Sequence, residues 1–235
     1  MNARQILAEL KSLGSPGIKK VLLNHGIREP FFGVKISELK KIQKRIRVSY
    51  PLSLELYATG NYDAMYLAGL IADDARMTRA DLQSWVDAAY CGPLAGATVA
   101  WVTAGSPHGW EMALKWIDSS KPLVACAGWA TLSSLVSITE DDALDLPALK
   151  QLLQRVEKTI HQAPDRVRHQ MNGFLIALGV AVAPMTTSCV DAGKRIGVLT
   201  ADLGPTACQV PFAPDSISKA RQKGVIGKKR KSAKC

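Results

Sequence analysis

No stretch of this 235-residue sequence is apolar for long enough to span a bilayer. The longest run, Phe174 to Ala183, is about half of the roughly 20 residues that a membrane helix needs. The opening residues, MNARQILAELKSLG, lack a charged-then-apolar signal pattern, so secretion is not expected. The five cysteines (Cys91, Cys126, Cys189, Cys208 and Cys235) are odd in number and include no C-x-x-C pair. That argues against a disulfide framework or a zinc ribbon and fits a reducing cytoplasm. His161, His169, Cys189 and Cys208 match no familiar zinc spacing, and the expectation is neither metal nor cofactor.

The common catalytic signatures are missing too. There is no G-x-S-x-G, no H-E-x-x-H, no phosphate-binding G-x-x-x-x-G-K-[ST] and no dinucleotide fingerprint. With four scattered histidines and no nucleophile motif, hydrolysis by a Ser or Cys triad has little to stand on.

Alternating, β-branched runs bounded by turns are scarce, and the apolar period is helical almost throughout. The pattern predicts helices near 2–13, 16–25, 36–47, 51–59, 62–73, 78–90, 93–104, 107–118, 121–136, 146–162, 165–182 and 185–196. Breakers such as Gly14 with Pro16, Pro51, Gly60-Asn61, Gly92-Pro93, Pro122, Pro147 and Pro164 separate them. Three segments repeat one design, a helix, a short polar turn, and a second helix rich in Ala, Gly and Leu: 54–73, 112–135 and 156–179. Their turns lie 59 and then 44 residues apart, which implies an extra or longer hairpin between the first two. That suits HEAT-like pairs of about 40–47 residues, stacked through small side chains into a solenoid. A compact helical bundle is the alternative.

The expected architecture is therefore all-α, with residues 1–196 as the helical repeat domain and 197–235 as an irregular carboxyl-terminal extension. The extension carries Gly204, Pro205, Pro211 and Pro214, one short helix at 215–223, and a last stretch, GKKRKSAKC, that reads as a mobile, solvated charge run.

Charge is unevenly placed. Residues 1–50 hold 11 Lys/Arg against 3 Asp/Glu, residues 51–148 hold 4 against 12, and residues 149–235 hold 15 against 5. Two basic ends flank an acidic middle, an arrangement that favours a polyanionic partner, nucleic acid first and a membrane surface second. The densest cationic stretch is GVKISELKKIQKRIR (33–47). Ile36, Leu39, Gln43 and Ile46 share one helical side, Lys40, Lys44 and Arg47 rise on another, and Lys41 and Arg45 lie beside them. Ser37 is the candidate cap. The same pattern suits a solvated face of an ordinary core helix. Lys outnumbers Arg here, so phosphate contact is expected rather than base readout.

All five tryptophans (Trp85, Trp101, Trp110, Trp116 and Trp129) fall within 45 residues. Large aromatics on facing helices pack a core, or alternatively line a cleft that touches a nucleotide. Asp87 is an acid inside an apolar helix and should face a cleft or meet a basic partner.

The runs GVKISELKKIQKRI, KWIDSSKPLVACAGWATL and APDRVRHQMNGFLIALG together resemble the DNA alkylation repair proteins of the AlkD-like group. The closing stretch from Ile196 is similar to the carboxyl-terminal extension of one branch of that family. The resemblance covers nearly the whole chain and implies a superhelix of HEAT-like hairpins with a basic groove for duplex DNA. In catalytic members an alkylated base is excised without entering a pocket, by a carboxylate with two aromatic residues. A cationic N-alkylpurine leaves as a neutral base, and a fixed carboxylate stabilises the oxocarbenium-like sugar left behind.

Carried over by position, the resemblance makes Asp87 the acid, puts Gln83 where those members have a tryptophan, and puts Phe174 at the second tryptophan. It places Trp85 close enough to approach the same cleft from another turn, and a DNA-binding arginine is replaced near Cys126. From the charge placement, the expected DNA contacts are Lys40, Lys41, Lys44, Arg45, Arg47, Arg166, Arg168, Lys228, Lys229 and Arg230. The expected function is DNA binding within alkylation repair, with excision of cationic N-alkylated purines as the activity; the alternative is a non-catalytic scaffold for bent or branched DNA, as in members without glycosylase activity. A solenoid that holds a partner peptide is a third. The expected protein is a cytoplasmic monomer, associated with the nucleoid if bacterial, with DNA as partner and no membrane.

Overall fold

The computed structural model describes residues 1–206 and 208–234; Cys235 lies outside the described residues. Among these residues all regular structure is helical: thirteen α-helices, short 3-10 turns and one π-helical segment. In order they are α1 (Ala3–Ser12), α2 (Pro16–Asn24), α3 (Ile36–Ile46), α4 (Tyr50–Ala58), α5 (Tyr62–Ile71) and α6 (Arg79–Ala88). A π-helical segment (Leu94–Val99) then runs on into α7 (Ala100–Gly105), where the apolar pattern predicts one uniform helix. After it come α8 (Gly109–Trp116), α9 (Pro122–Ile138), α10 (Leu146–Thr159), α11 (Asp165–Ala181), α12 (Thr186–Ile196) and α13 (Ala213–Gln222).

Local chemistry accounts for most of the boundaries. Asn2 with Gln5, and Thr78 with Asp81, close capping boxes on α1 and α6. Asn61 and Asp145 cap α5 and α10 through their side chains. Proline in the first turn starts α2, α4, α9 and α10, where the N–H it lacks would have no helical partner. The cap of α3 is Lys35 rather than Ser37, without a side-chain bond. On that helix Leu39 and Ile42 are the buried pair, while Ile36 is half exposed. Gln43 instead reaches across to α5, donating from Nε2 to Leu70 O at 3.2 Å.

The hairpins α4/α5, α8/α9 and α10/α11 are the three repeats read from the sequence, and α6 with the π/α7 helix is the additional one between the first two. Successive second helices pack side by side: α5 on the π segment, the π segment and α7 on α9, and α9 on α11. Glycine permits two of the close approaches. A Cβ on Gly69 of α5 would lie 2.5 Å from Thr98 Cγ2, and one on Gly128 of α9 would lie 2.7 Å from the Ile117 amide nitrogen. The apolar interior forms two contiguous bodies, one from Ile6 to Ala127 and one from Ala104 to Ala233, with Trp101 packed against both. Each hairpin thus buries its apolar face on its neighbours, as expected of stacked repeats.

One fastening leaves no mark in the sequence. Asp63, fully buried in the first turn of α5, accepts three backbone N–H bonds from the loop before α3: Phe32 at 2.6 Å, Gly33 at 3.1 Å and Val34 at 2.9 Å. A carboxylate that satisfies three amides this way is a strong, charge-assisted tie. It sets where the basic helix α3 begins.

The carboxyl-terminal stretch is a correction. The sequence pattern makes GKKRKSAKC mobile and solvated, yet its described residues strap the ends of the inner helices. Lys229, only 7% exposed, donates to Val136 O of α9 at 3.0 Å and to Ala181 O of α11 at 2.7 Å, and pairs with Asp141 at 2.7 Å. Lys234 donates to Ala72 O just beyond α5 at 2.8 Å and pairs with Asp74 at 2.8 Å. Free carbonyls at helix C-termini attract cations, which is why Lys229 and Lys234 dock here instead of remaining in water. Among the described residues no single helix is long and apolar enough to cross a membrane; the bent pair of α11 and Ala183–Ile196, broken at 116°, meets that test only jointly.

Candidate nucleic-acid interface

Asp87 lies in the last turn of α6 with its side chain 42% exposed. It is held from two sides: Gln83 Nε2 donates to Oδ2 at 2.9 Å, and Lys121 Nζ donates to Oδ1 at 3.1 Å. The Gln83 bond, then the nearby Lys121 and Lys115 ammonium groups, hold this carboxyl below the usual carboxylate range. The acid is thus fixed and ionised, and it meets the basic partner that an acid within an apolar helix requires.

Gln83 organises this small depression. Its Oε1 accepts from Lys115 Nζ at 3.1 Å and from the Trp116 indole Nε1 at 3.2 Å. Lys115 and Trp116 come from the end of α8, and Lys121 is the residue that caps α9. By sequence Gln83 marks a missing aromatic; the structure gives it a positive task, to align the acid. Trp116, in the sequence only one of five clustered tryptophans, is the indole bonded to the residue that holds the acid, although its ring is buried.

Two aromatic positions depart from expectation. Trp85 is 3% exposed and stacks on Tyr57, with ring centroids 4.0 Å apart at 4°. Two residues along a helix turn about 200°, so Trp85 faces α4 while Asp87 faces α8 and α9, and the two do not share a cleft. Phe174 is fully buried and lies tilted against Trp129 at 5.4 Å. It packs the α9/α11 contact and presents no face to a ligand. Trp116, the aromatic that lines the depression beside Asp87, is itself only 1% exposed.

The expected DNA-contacting cations divide by what they already hold. On α3, Lys41 pairs with Glu38 and Arg45 with Glu9, whereas Lys40, Lys44 and Arg47 make no ion pair among the described residues. Arg47 ends α3 with a positive φ of 66°, a conformation that usually selects glycine. Arg168 is committed within the fold: it donates to the carbonyls of Ile160, Ala163, His161 and Thr200 and pairs with Asp165. Lys229 is equally committed, while Lys228 and Arg230 reach solvent. Arg230 also donates to Ala233 O and Lys234 O, each at 3.3 Å. Arg166 lines a separate cavity between the π-helical segment and α11, to which Cys126 of α9 and Leu203, Thr206 and Cys208 also contribute.

No group of three His, Cys, Asp or Glu that could hold a metal occurs among the described residues. Cys189, a conceivable ligand by sequence, is buried beside Gly179 with its thiol pushed up to about 12 by desolvation.

A family model described as DNA alkylation repair enzyme matches residues 6–194. Uncharacterized proteins of Listeria innocua and Listeria monocytogenes are each 30% identical over 225 residues, covering 93% of this chain and 97% of theirs. A solved structure described as a new family of proteins related to the HEAT-like repeat DNA glycosylases, with affinity for branched DNA structures, is 35% identical. It superposes over the full length of both chains with a TM-score of 0.93, so the all-α, HEAT-like repeat architecture is shared.

Proposed function

The chain belongs to the DNA alkylation repair enzyme family, and on that premise we propose that it is a DNA-binding scaffold that recognises bent or branched DNA without excising a base. One observation carries this reading: Asp87, the acid that the sequence resemblance aligns with the catalytic carboxylate, is paired with Lys121, and Trp116, the aromatic that lines the depression beside it, is buried. Catalysis on a cationic nucleotide needs a free carboxylate and an exposed π face to hold it, and here the carboxylate and the nearby rings are engaged by the protein itself. The unpaired Lys40, Lys44 and Arg47 supply sequence-independent phosphate contacts. The solved relative, described as having affinity for branched DNA structures, supports the choice of partner. On this reading residues 1–196 grip DNA, residues 197–235 brace them, and the protein works as a monomer in the cytoplasm, at the nucleoid if bacterial.

Fluorescence anisotropy at a fixed, stated salt concentration tests it. A four-way junction is expected to bind about tenfold or more tighter than a matched linear duplex, and equal affinity would sink the reading.

A second reading is favoured by the same acid's ionisation. Asp87 is half exposed and held as a carboxylate, the state required to stabilise an oxocarbenium-like sugar once Lys121 swings away. It predicts free base from an oligonucleotide carrying a cationic alkylpurine, above the spontaneous rate, and loss of that release in Asp87→Asn with duplex binding intact. Absence of release by the unaltered protein removes it.

A further inference from the structure

A cavity of about 270 Å³ opens where the π-helical segment and the first turns of α11 face each other across α9. Its shape follows from matched residues one helical turn apart. A Cβ on Gly92 would lie 3.0 Å from Arg166 Nη1, and one on Gly96 would lie 2.8 Å from Gln170 Nε2. The guanidinium and the amide thus lie close over two glycines. Cys126 of α9 joins the lining; its thiol is pushed up to about 12 by burial, so it contributes no charge.

The charge inside is one-sided. Among the described residues Arg166 has one hydrogen-bond partner, Leu203 O at 3.3 Å. The adjacent Asp165 gives its carboxylate to Arg168 instead, at 3.0 Å. His25 and His169 share the lining, and no carboxylate does among the described residues. Burial, and then the Arg166 charge, hold the His169 imidazole below its ordinary value, and an anion entering beside it would oppose that shift. A partly enclosed guanidinium with two imidazoles, an amide and no acid is the chemistry that binds an oxyanion.

We propose that this cavity binds a phosphate group of a nucleic-acid strand, with Arg166 as the cation and Gln170, His25 and His169 as the surrounding donors. The proposal rests on the DNA-binding reading for the source of the phosphate, while the oxyanion site stands on its own geometry. It gives a role to the small residue at 126: a large side chain there would fill the site.

The chain has four histidines, His25, His108, His161 and His169, so their imidazole C–H resonances form a short, assignable set. Inorganic phosphate, added at constant pH and ionic strength, is expected to shift His25 and His169 and leave His108 and His161 in place. His25→Gln and His169→Gln supply the assignments. Arg166→Gln, and separately Gly92→Ala, which crowds the guanidinium, should each weaken the phosphate response at least tenfold. Equal shifts at all four histidines, no shift, or an unchanged response in folded Arg166→Gln would overturn the site. A 5′-phosphorylated oligodeoxynucleotide should saturate the same two resonances at least tenfold below inorganic phosphate; if it leaves them unmoved, the assignment to a strand is overturned. Failure of the unaltered protein to bind any branched DNA would sink the scaffold reading, and the phosphate titration would still decide the cavity.

Discussion

The Trp116 indole donates to Gln83 Oε1 at 3.2 Å, and that bond decides which way the Gln83 amide faces Asp87. With Oε1 turned to Trp116 and Lys115, Nε2 is left to donate to Asp87 Oδ2 at 2.9 Å. A buried indole N–H requires an acceptor, and here the requirement also orients the acid. Gln83→Ala is expected to cost about 1–2 kcal/mol, because the Trp116 N–H loses its acceptor. The Asp87 carboxyl should move up toward the ordinary carboxylate range. Urea unfolding reads the first effect and carbon-detected NMR titration of Asp87 the second; a carboxyl that titrates as before would show that Gln83 does not hold it.

The division of cations on α3 predicts unequal effects of charge removal. Lys40, Lys44 and Arg47 have no acidic partner among the described residues, while Lys41 and Arg45 hold Glu38 and Glu9. Replacing the first three by Gln should reduce the slope of log affinity against log salt by about 2–3, at about 0.9 for each phosphate no longer neutralised. Replacing Lys41 and Arg45 exposes two acids as well, so affinity falls by general repulsion with less change per charge in that slope. Anisotropy titrations across a salt series measure both; an unchanged slope in the triple variant would mean this face does not touch DNA.

Asp63 carries a larger share of stability than the surface pairs do. Removing its carboxylate leaves the Phe32, Gly33 and Val34 amides without acceptors in a buried or half-buried setting. Asp63→Ala should therefore destabilise by about 3 kcal/mol or more. Asp63→Asn, which keeps one oxygen, should cost less. Denaturant unfolding ranks the two, and a loss below about 1 kcal/mol in the alanine variant would show that the loop finds other acceptors.

What is legible in the sequence is local. Asn2, Asn61, Thr78 and Asp145 lie within three residues of the amides they cap, and proline or glycine marks many remaining ends, so the helices and the hairpin order can be read. The fastenings across long separations cannot. Asp63 reaches Phe32 over 31 positions, Lys229 reaches Val136 over 93 and Lys234 reaches Ala72 over 162. A lysine run considered alone has only water for company, which is why the tail looks solvated. The candidate site is half legible: family position singles out Asp87 and Gln83, but the partners Lys121, Lys115 and Trp116 belong to the next hairpin. Trp85 is misleading for a simpler reason, since helical rotation turns it away from Asp87 and towards Tyr57.

The strap also makes stability depend on pH through Asp74. Burial raises its carboxyl to about 6, against the opposing pull of Lys234. In the unfolded chain the group returns to about 3.8. Between those values the folded state binds the proton more tightly, so the stability linked to this group is fully present below about pH 4 and is lost as pH rises through about 6. The full difference is worth about 3 kcal/mol. Asp74→Asn removes this titration, while the cost of leaving Lys234 without its carboxylate is independent of pH as long as the lysine stays charged. Subtracting the two proteins' unfolding free energies at about pH 4 and again at about pH 7.5 cancels the other carboxylates. The asparagine variant should gain up to about 3 kcal/mol relative to the unaltered protein between those conditions. A difference that stays flat across the range would show that Asp74 is ionised throughout and that its pair with Lys234 outweighs its burial.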